Sequence, residues 1–313
     1  MIKGLVSIII PTRDRAHYVV EAIRSAQAQT YPLKQIIVVD DGSSDDTARR
    51  VAEVGGVEYH YRPHGGQGRA RNHGLALARG EYVASLDSDD LWDEDFLARS
   101  VECLEAFRLD FVFTNWMRLK GAEARPSDWV RAGMWRRYQT DRRGEWSLLN
   151  PGQVRRLFLE TCPAPSSSLL LRRDSIVSGW GEHMHIADDW YLLVEMALHR
   201  PCRAAFSLSP RWTKRVDGNN VYDDRPFAEI VRKLYLHDFA SFRRDFAPRL
   251  TRREKLRLAR VVTRYRLHLL AHGLTRTGLT ARVPVPVLVS RLRSGLRATV
   301  NTPEQVEPEE VKP

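Results

Sequence analysis

The first 116 residues alternate short β-branched runs with segments of helical spacing, and this alternation restricts the fold more than any other feature. Leu5–Ile10 is an apolar run, as a parallel strand covered on both faces requires. Gln35–Asp41, Val57–Tyr61, Tyr82–Asp87 and Phe111–Trp116 read as further strands. Between them, His17–Gln29 carries Val20, Ile23 and Ala26 at helical spacing, and Asp45–Val54, Gly68–Arg79 and Asp93–Phe107 read as helices. This order predicts a doubly wound α/β sheet, with ligands at the carboxyl ends of its strands. Those ends hold Pro11-Thr12, Asp40-Asp41 and Asp87-Ser88-Asp89-Asp90.

Downstream the pattern changes. From Gly121 to Glu160 periodicity fades while Trp, Arg, Gly and Pro accumulate, as in a functional loop region. Ser166–Leu171 reads as a strand and Ala187–His199 as a helix. After Pro226 the spacing is mostly helical, and the Pro/Glu-rich tail after Thr302 reads as disordered.

Charge decides against one class of partner. The net +10 suggests nucleic acid until it is located. Thirteen Lys/Arg against the single acid Glu254 fall between Pro248 and Ala298, and the tail from Thr299 carries −3, so residues 1–247 carry only +1. In Arg252–His272, Leu258, Val262, Tyr265 and Leu269 recur on one helical face, with Arg253, Arg257, Arg260 and Arg264 roughly opposite. Such a stripe suits either solvent or anionic phospholipid. Aromatic residues are not interleaved with the arginines, so no nucleic-acid partner is expected. The three cysteines, Cys103, Cys162 and Cys202, are scattered and form no CxxC pair, which argues against a disulfide framework or a zinc site of that type. The N-terminal apolar run is too short for a signal-peptide core, and the chain reads as intracellular.

The chemistry lies in carboxylates. Asp87 and Asp89, one residue apart at a strand end, suit a hard divalent cation, which takes oxygen ligands; Ser88 to Asp90 equally suit capping of the next helix. Asp188 and Asp189 open the helix over Ala187–His199, where the dipole favours negative charge. No Gly-x-Ser-x-Gly or Cys/His constellation is evident. His185, near this pair, reads as structural.

The motifs come in a recognisable order: Ile10-Pro11-Thr12-Arg13-Asp14-Arg15, the stretch Val38–Thr47, Gly68-Arg69-Ala70-Arg71-Asn72-His73-Gly74, Ala78–Val83, and then Asp87–Asp90. In this the chain resembles a family 2 glycosyltransferase of the GT-A fold, closely over residues 5–90 and more loosely to about Asn220. The resemblance implies a nucleotide-binding, Rossmann-like mixed sheet flanked by helices, to which spacing and charge add a basic helical C-terminal extension. It implies a catalytic domain over 1–224, with a nucleotide-sugar-binding half (1–120) and an acceptor half (121–224); spacing, charge and composition add the extension (225–300) and a disordered tail (301–313).

The same resemblance implies roles. Pro11, Thr12, Arg13, Arg15, Asp41, Arg71, Asn72, Asp87 and Ser88 would bind the nucleotide-sugar, with Asp41 on the imide of a uracil. Arg13 stands where the family usually has an aromatic, and a guanidinium also stacks on a base. Arg71 suits either a donor-binding cation or a solvated surface residue. Asp89 would ligate Mn²⁺ or Mg²⁺, joined by Asp217, which stands in place of a family histidine. Asp189 would be the catalytic base, with Asp188 beside it. The implied activity is inverting transfer from a nucleotide-sugar, UDP-linked, to a saccharide or lipid-linked saccharide in cell-surface polysaccharide or glycoconjugate synthesis. The enzyme would be cytoplasmic, or peripheral on the inner face of the membrane. A nucleotidyltransferase is the competing enzyme, but Pro11–Arg15 lacks the glycine and lysine of its phosphate loop. A degenerate nucleotide-sugar-binding scaffold is the non-enzymatic alternative; the presence of Asp41, Asp87, Asp89 and Asp189 together speaks against it.

Overall fold

Alternation within the first strand sets the architecture. In the computed structural model, which describes residues 1–127, 133–217 and 225–274, Ile8 and Ile10 enter one apolar cluster and Ile9 the other. Successive side chains of a strand point to opposite faces, so a run buried throughout needs a helical layer on each side. One layer is α1 (Val19–Gln27), α2 (Thr47–Val54) and α4 (Phe96–Ala106); the other includes α3 (Gln67–Leu77), α5 (Pro151–Glu160) and α6 (Asp188–His199).

The strands are β1 (Ile2–Thr12), β2 (Lys34–Asp40), β3 (Glu58–Tyr61), β4 (Gly80–Ser85), β5 (Leu91–Trp92), β6 (Phe111–Lys120), β7 (Glu123–Pro126), β8 (Arg142–Arg143), β9 (Trp146–Leu149), β10 (Leu169–Arg172) and β11 (Ala204–Arg215). The sheet runs β3-β2-β1-β4-β10-β6-β11-β9-β8, with β5 and β7 paired at the side. β3, β2, β1 and β4 are parallel, as the sequence predicts. β10 then runs antiparallel to both β4 and β6, which makes the sheet mixed. The chain winds outward from β1 to β3 and returns to β4 on the other side of β1. The crevice at that reversal is where an open α/β sheet binds ligands.

Two stretches differ from the sequence reading. Ser166–Ser168 is a 3-10 turn, and the strand begins only at Leu169. Hydroxyl side chains that bond locally compete with the ladder, and these three are buried in polar contacts. Residues 121–160 are less irregular than expected, since they hold β7, β8, β9 and α5. Asn150 caps α5: its side chain accepts from the Gln153 N–H while the Gln153 side chain accepts from the Asn150 N–H, with Pro151 at the first helical position.

The C-terminal helices join the same core. α7 (Phe227–Ile230), a π-helix (Val231–Asp238), α8 (Phe239–Asp245) and α9 (Arg252–Leu274) follow in order. Phe239 and Phe242 pack edge-on to Trp190 of α6, and the Tyr235 and Tyr265 rings stack 3.6 Å apart. Leu258, Val262 and Tyr265 are buried while Arg253, Arg257, Arg260 and Arg264 are exposed, as their spacing predicts. The side chain of Leu269, the extension beyond 274 and the expected disordered tail lie outside the described residues.

Candidate active site

The turn after β4 gathers three carboxylates. Asp87, Asp89 and Asp90 each offer an oxygen within 4.8 Å of the others. The turn is held by a residue the sequence reading passed over, Ser167. Its hydroxyl accepts from the Asp87 N–H (3.0 Å) and donates to Asp90 Oδ2 (2.7 Å), and its carbonyl accepts from the Trp92 indole (2.7 Å). The neighbouring Ser166 N–H donates to Asp189 Oδ2 at 3.2 Å. The 3-10 turn thus ties the Asp87–Asp90 turn to the start of α6. In sequence the serines after Pro165 read as the start of a strand, and nothing in their spacing assigns Ser167 a role at this site.

A second link is Arg71 of α3. It is buried, at 3% exposure, and not a solvated surface residue. It pairs with Asp188, bonds Asp87 at 2.5 Å and reaches the Ser85 hydroxyl at 3.3 Å. Gln67 adds a 2.7 Å bond to Asp188. Burial alone would lower the Arg71 pKa, but the Asp188 and Asp87 charges outweigh it and raise it. Asp188 is therefore committed to the pair. Asp189, partly buried, makes no ion pair among the described residues and accepts from the backbone N–H groups of Ser166 and Trp190. Burial, then the charge of Asp188, push the Asp189 pKa up to about 7.

The expected nucleotide residues ring the carboxyl end of β1. Thr12 is buried there with its hydroxyl lacking a hydrogen-bond partner among the described residues, a cost a bound ligand would relieve. Pro11 precedes it in the ladder beside Val39. Asp41 is already occupied: it accepts from Arg62, His64 and the N–H groups of Gly65 and Gly66, at 2.7–3.0 Å. His64 in turn bonds Arg13 at 2.7 Å. The loops meet closely because Gly42 has φ +84° and a Cβ there would lie 2.9 Å from the His64 nitrogen. Asn72 holds the approach to α6, bonding Trp180 through both its amide atoms and also reaching Glu182. Ser88 is buried within the carboxylate turn.

A divalent cation fits the turn. Asp90 Oδ1 is buried without a partner among the described residues, and burial followed by the neighbouring carboxylates raises the pKa values of Asp89 and Asp90. A hard cation removes both costs. Cations of the chain already lean on the cluster. Arg15 lies 3.6 Å from Asp89 and 3.6 Å from Asp217, bridging the two expected metal ligands, and the Lys214 charge opposes the rise at both Asp89 and Asp90.

A mixed sheet with this arrangement at its switch point is the fold of GT-A glycosyltransferases. Residues 7–176 match the family described as glycosyl transferase family 2, and the chain belongs to it. It is 44% identical over 101 residues to an uncharacterized glycosyltransferase of Rickettsia typhi, a match spanning 32% of either protein. It is 33% identical over 119 residues to the putative teichuronic acid biosynthesis glycosyltransferase TuaG of Bacillus subtilis, covering 36% of this chain and 47% of that one. The chain spans about a third or less of the length of the first curated relatives it matches. Among solved structures, S. aureus TarS 1–349 with UDP superposes at a TM-score of 0.56 and 17% identity, covering 92% of this chain and 78% of that one. The mannosyltransferase PcManGT of Pyrobaculum calidifontis, solved with GDP-Man and Mn²⁺, gives 0.54 at 18% identity, covering 96% and 82%.

Proposed function

We propose that the protein transfers a sugar from a nucleotide-sugar, UDP-linked, to a hydroxyl of a saccharide or lipid-linked saccharide, with inversion at the anomeric carbon. The observation that carries this reading is the joining of two carboxylate sites by Arg71 and the Ser166–Ser168 turn. Asp87, Asp89 and Asp90 gather at the strand end, and Asp189, with its pKa near 7, stands at the start of α6. That pKa suits a general base at neutral pH. Asp189 takes the proton of the acceptor hydroxyl as its oxygen attacks the anomeric carbon from the face opposite the nucleotide. One displacement breaks the bond to the diphosphate and inverts the centre, so no enzyme nucleophile is needed. Arg71 and Asp188 hold the base's helix against the turn.

Asp89 would hold the divalent ion with Asp87 or Asp90, and Mn²⁺ or Mg²⁺ bound there supplies Lewis-acid neutralisation of the departing diphosphate. Asp217 reaches this group through Arg15. Thr12, Pro11, Arg13 and Arg15 would flank the nucleoside, and Asp41 would orient the loop of His64, Gly65 and Gly66 around the base. Solved relatives in fold were captured with UDP and with UDP-GlcNAc, which supports this donor class. Incubating the protein with a panel of UDP-, GDP- and TDP-sugars and Mn²⁺ tests it: metal-dependent sugar release is expected. Pyrophosphate release when the protein is given a nucleoside triphosphate and a sugar 1-phosphate would indicate a nucleotidyltransferase instead, and no turnover in either assay would leave a scaffold.

The exposed arginines of α9 support a peripheral site of action on an anionic membrane. No described helix is long and apolar enough to cross one.

A further inference from the structure

A second cluster lies outside the carboxylate site. His185, in the segment leading into α6, stacks on His237 with ring centroids 3.9 Å apart and planes inclined by 40°. Both rings are exposed, while Asp238 beside them is wholly buried. Asp238 Oδ1 lies 2.9 Å from His237 Nδ1 and 3.9 Å from His185 Nδ1. Its two oxygens also accept from the N–H groups of His185, Ile186 and Ala187 at 2.9–3.0 Å. The carboxylate is thus held by three backbone N–H groups as well as by His237. His237 and Asp238 end the π-helix Val231–Asp238, a rare conformation that concentrates at functional positions.

We propose that His185, His237 and Asp238 form a binding site for a divalent transition ion of the zinc class, separate from the all-oxygen cluster of Asp87, Asp89 and Asp90. One ligand atom from each of the three lies within 4.8 Å of the others. Tetrahedral sites with bonds of about 2.0–2.1 Å separate their ligand atoms by roughly 3.3 Å, and the observed 2.9 and 3.9 Å bracket that value. Imidazole nitrogens select Zn²⁺, Co²⁺ or Ni²⁺ over Mg²⁺. An ionised carboxylate only accepts, so His237 Nδ1 carries the proton it shares with Asp238. The ion takes that proton's place, and the proton leaves to solvent. Two nitrogens and one oxygen leave a fourth position for water. The ion would tie residues 185–187, which lead into Asp188 and Asp189, to the C-terminal helical layer.

Zn²⁺ alone, added to the full chain in thermal unfolding, tests the site. An ion binding only the native state, at a hundredfold above its dissociation constant, should raise Tm by about 5 °C or more. Co²⁺ titration should show visible bands of nitrogen ligation. His185→Gln and His237→Gln should each remove both signals, whereas Asp89→Asn should keep them. The proposal is overturned if Zn²⁺ leaves the native protein's Tm unchanged, if the signals survive in His185→Gln, or if Asp89→Asn removes them. His185 decides the matter should the His237 variant not fold, since its exposed ring makes no side-chain hydrogen bond among those the structure shows.

Discussion

Arg71 and Asp188 form a buried ion pair between α3 and α6, across 117 residues of chain. Their side chains are 4% and 2% exposed, so neither charge is compensated by solvent. The pair also reaches Asp87, which couples the helix of the proposed base to the carboxylate turn through one guanidinium.

Removing one partner should therefore be costly. Arg71→Ala leaves Asp188 buried without its cation and should lower stability by roughly 3–5 kcal/mol. Urea unfolding measures this. A loss below about 1 kcal/mol would show that Asp188 is reached by water or by another cation.

The second prediction concerns Asp189. Asp189→Asn keeps the shape but removes the base, so donor binding should persist while transfer falls by roughly a hundredfold or more. The variant should also be the more heat-stable protein above pH 7. A carboxyl whose pKa is raised on folding binds its proton more tightly in the native state, so its contribution to stability falls as pH rises from its unfolded value, near 4, to about 7. The asparagine escapes that loss, and the gap in Tm should narrow as pH falls below 7 and close near pH 4. Near-native transfer in this variant would move the base elsewhere.

Transfer itself should depend on the same group. With saturating donor and metal, kcat should climb tenfold per pH unit below about 7 and level off above it. A profile flat from pH 5 to 8 would mean that Asp189 is ionised throughout and that its burial is relieved in the complex.

For the metal, Asp89→Ala should abolish Mn²⁺-dependent UDP binding in calorimetry while leaving the circular dichroism spectrum unchanged. Undiminished metal-dependent binding would remove Asp89 from the ligand set.

The stripe on α9 can be tested without disturbing its core face. Arg253, Arg257, Arg260 and Arg264 all changed to Gln should bind anionic vesicles less well, at up to about 1 kcal/mol per charge. Turnover on a soluble acceptor should be unaffected, because Leu258, Val262 and Tyr265 still pack. The native protein's vesicle binding should weaken as salt rises. Equal binding by both proteins would assign the arginines to solvent and to local pairs such as Arg257 with Glu160.

The sequence by itself determined the parallel half of the sheet and the chemical groups of the site. Runs such as Leu5–Ile10 are apolar, Ser7 apart, on both alternating sets of residues, so only a doubly covered strand satisfies them. Strand ends then place Thr12, Asp41 and Asp87–Asp90 at one edge whatever follows. Local pattern also fixed the buried face of α9, because helical period is a short-range property.

Tertiary structure decided what those groups touch. Arg71 reads as either a donor-binding or a surface cation until α6 arrives with Asp188. Asp41 reads as free for a base until Arg62, His64 and two glycine N–H groups close on it. Ser166 and Ser167 carry no signal of their own, yet they join both carboxylate sites because the strand they precede is inserted antiparallel between β4 and β6. His185 meets His237 only where the C-terminal helices fold back on α6. In each case the partner lies dozens of residues away, and burial, which turns a surface charge into a committed pair or a carboxyl into a base near neutrality, exists only once both have come together.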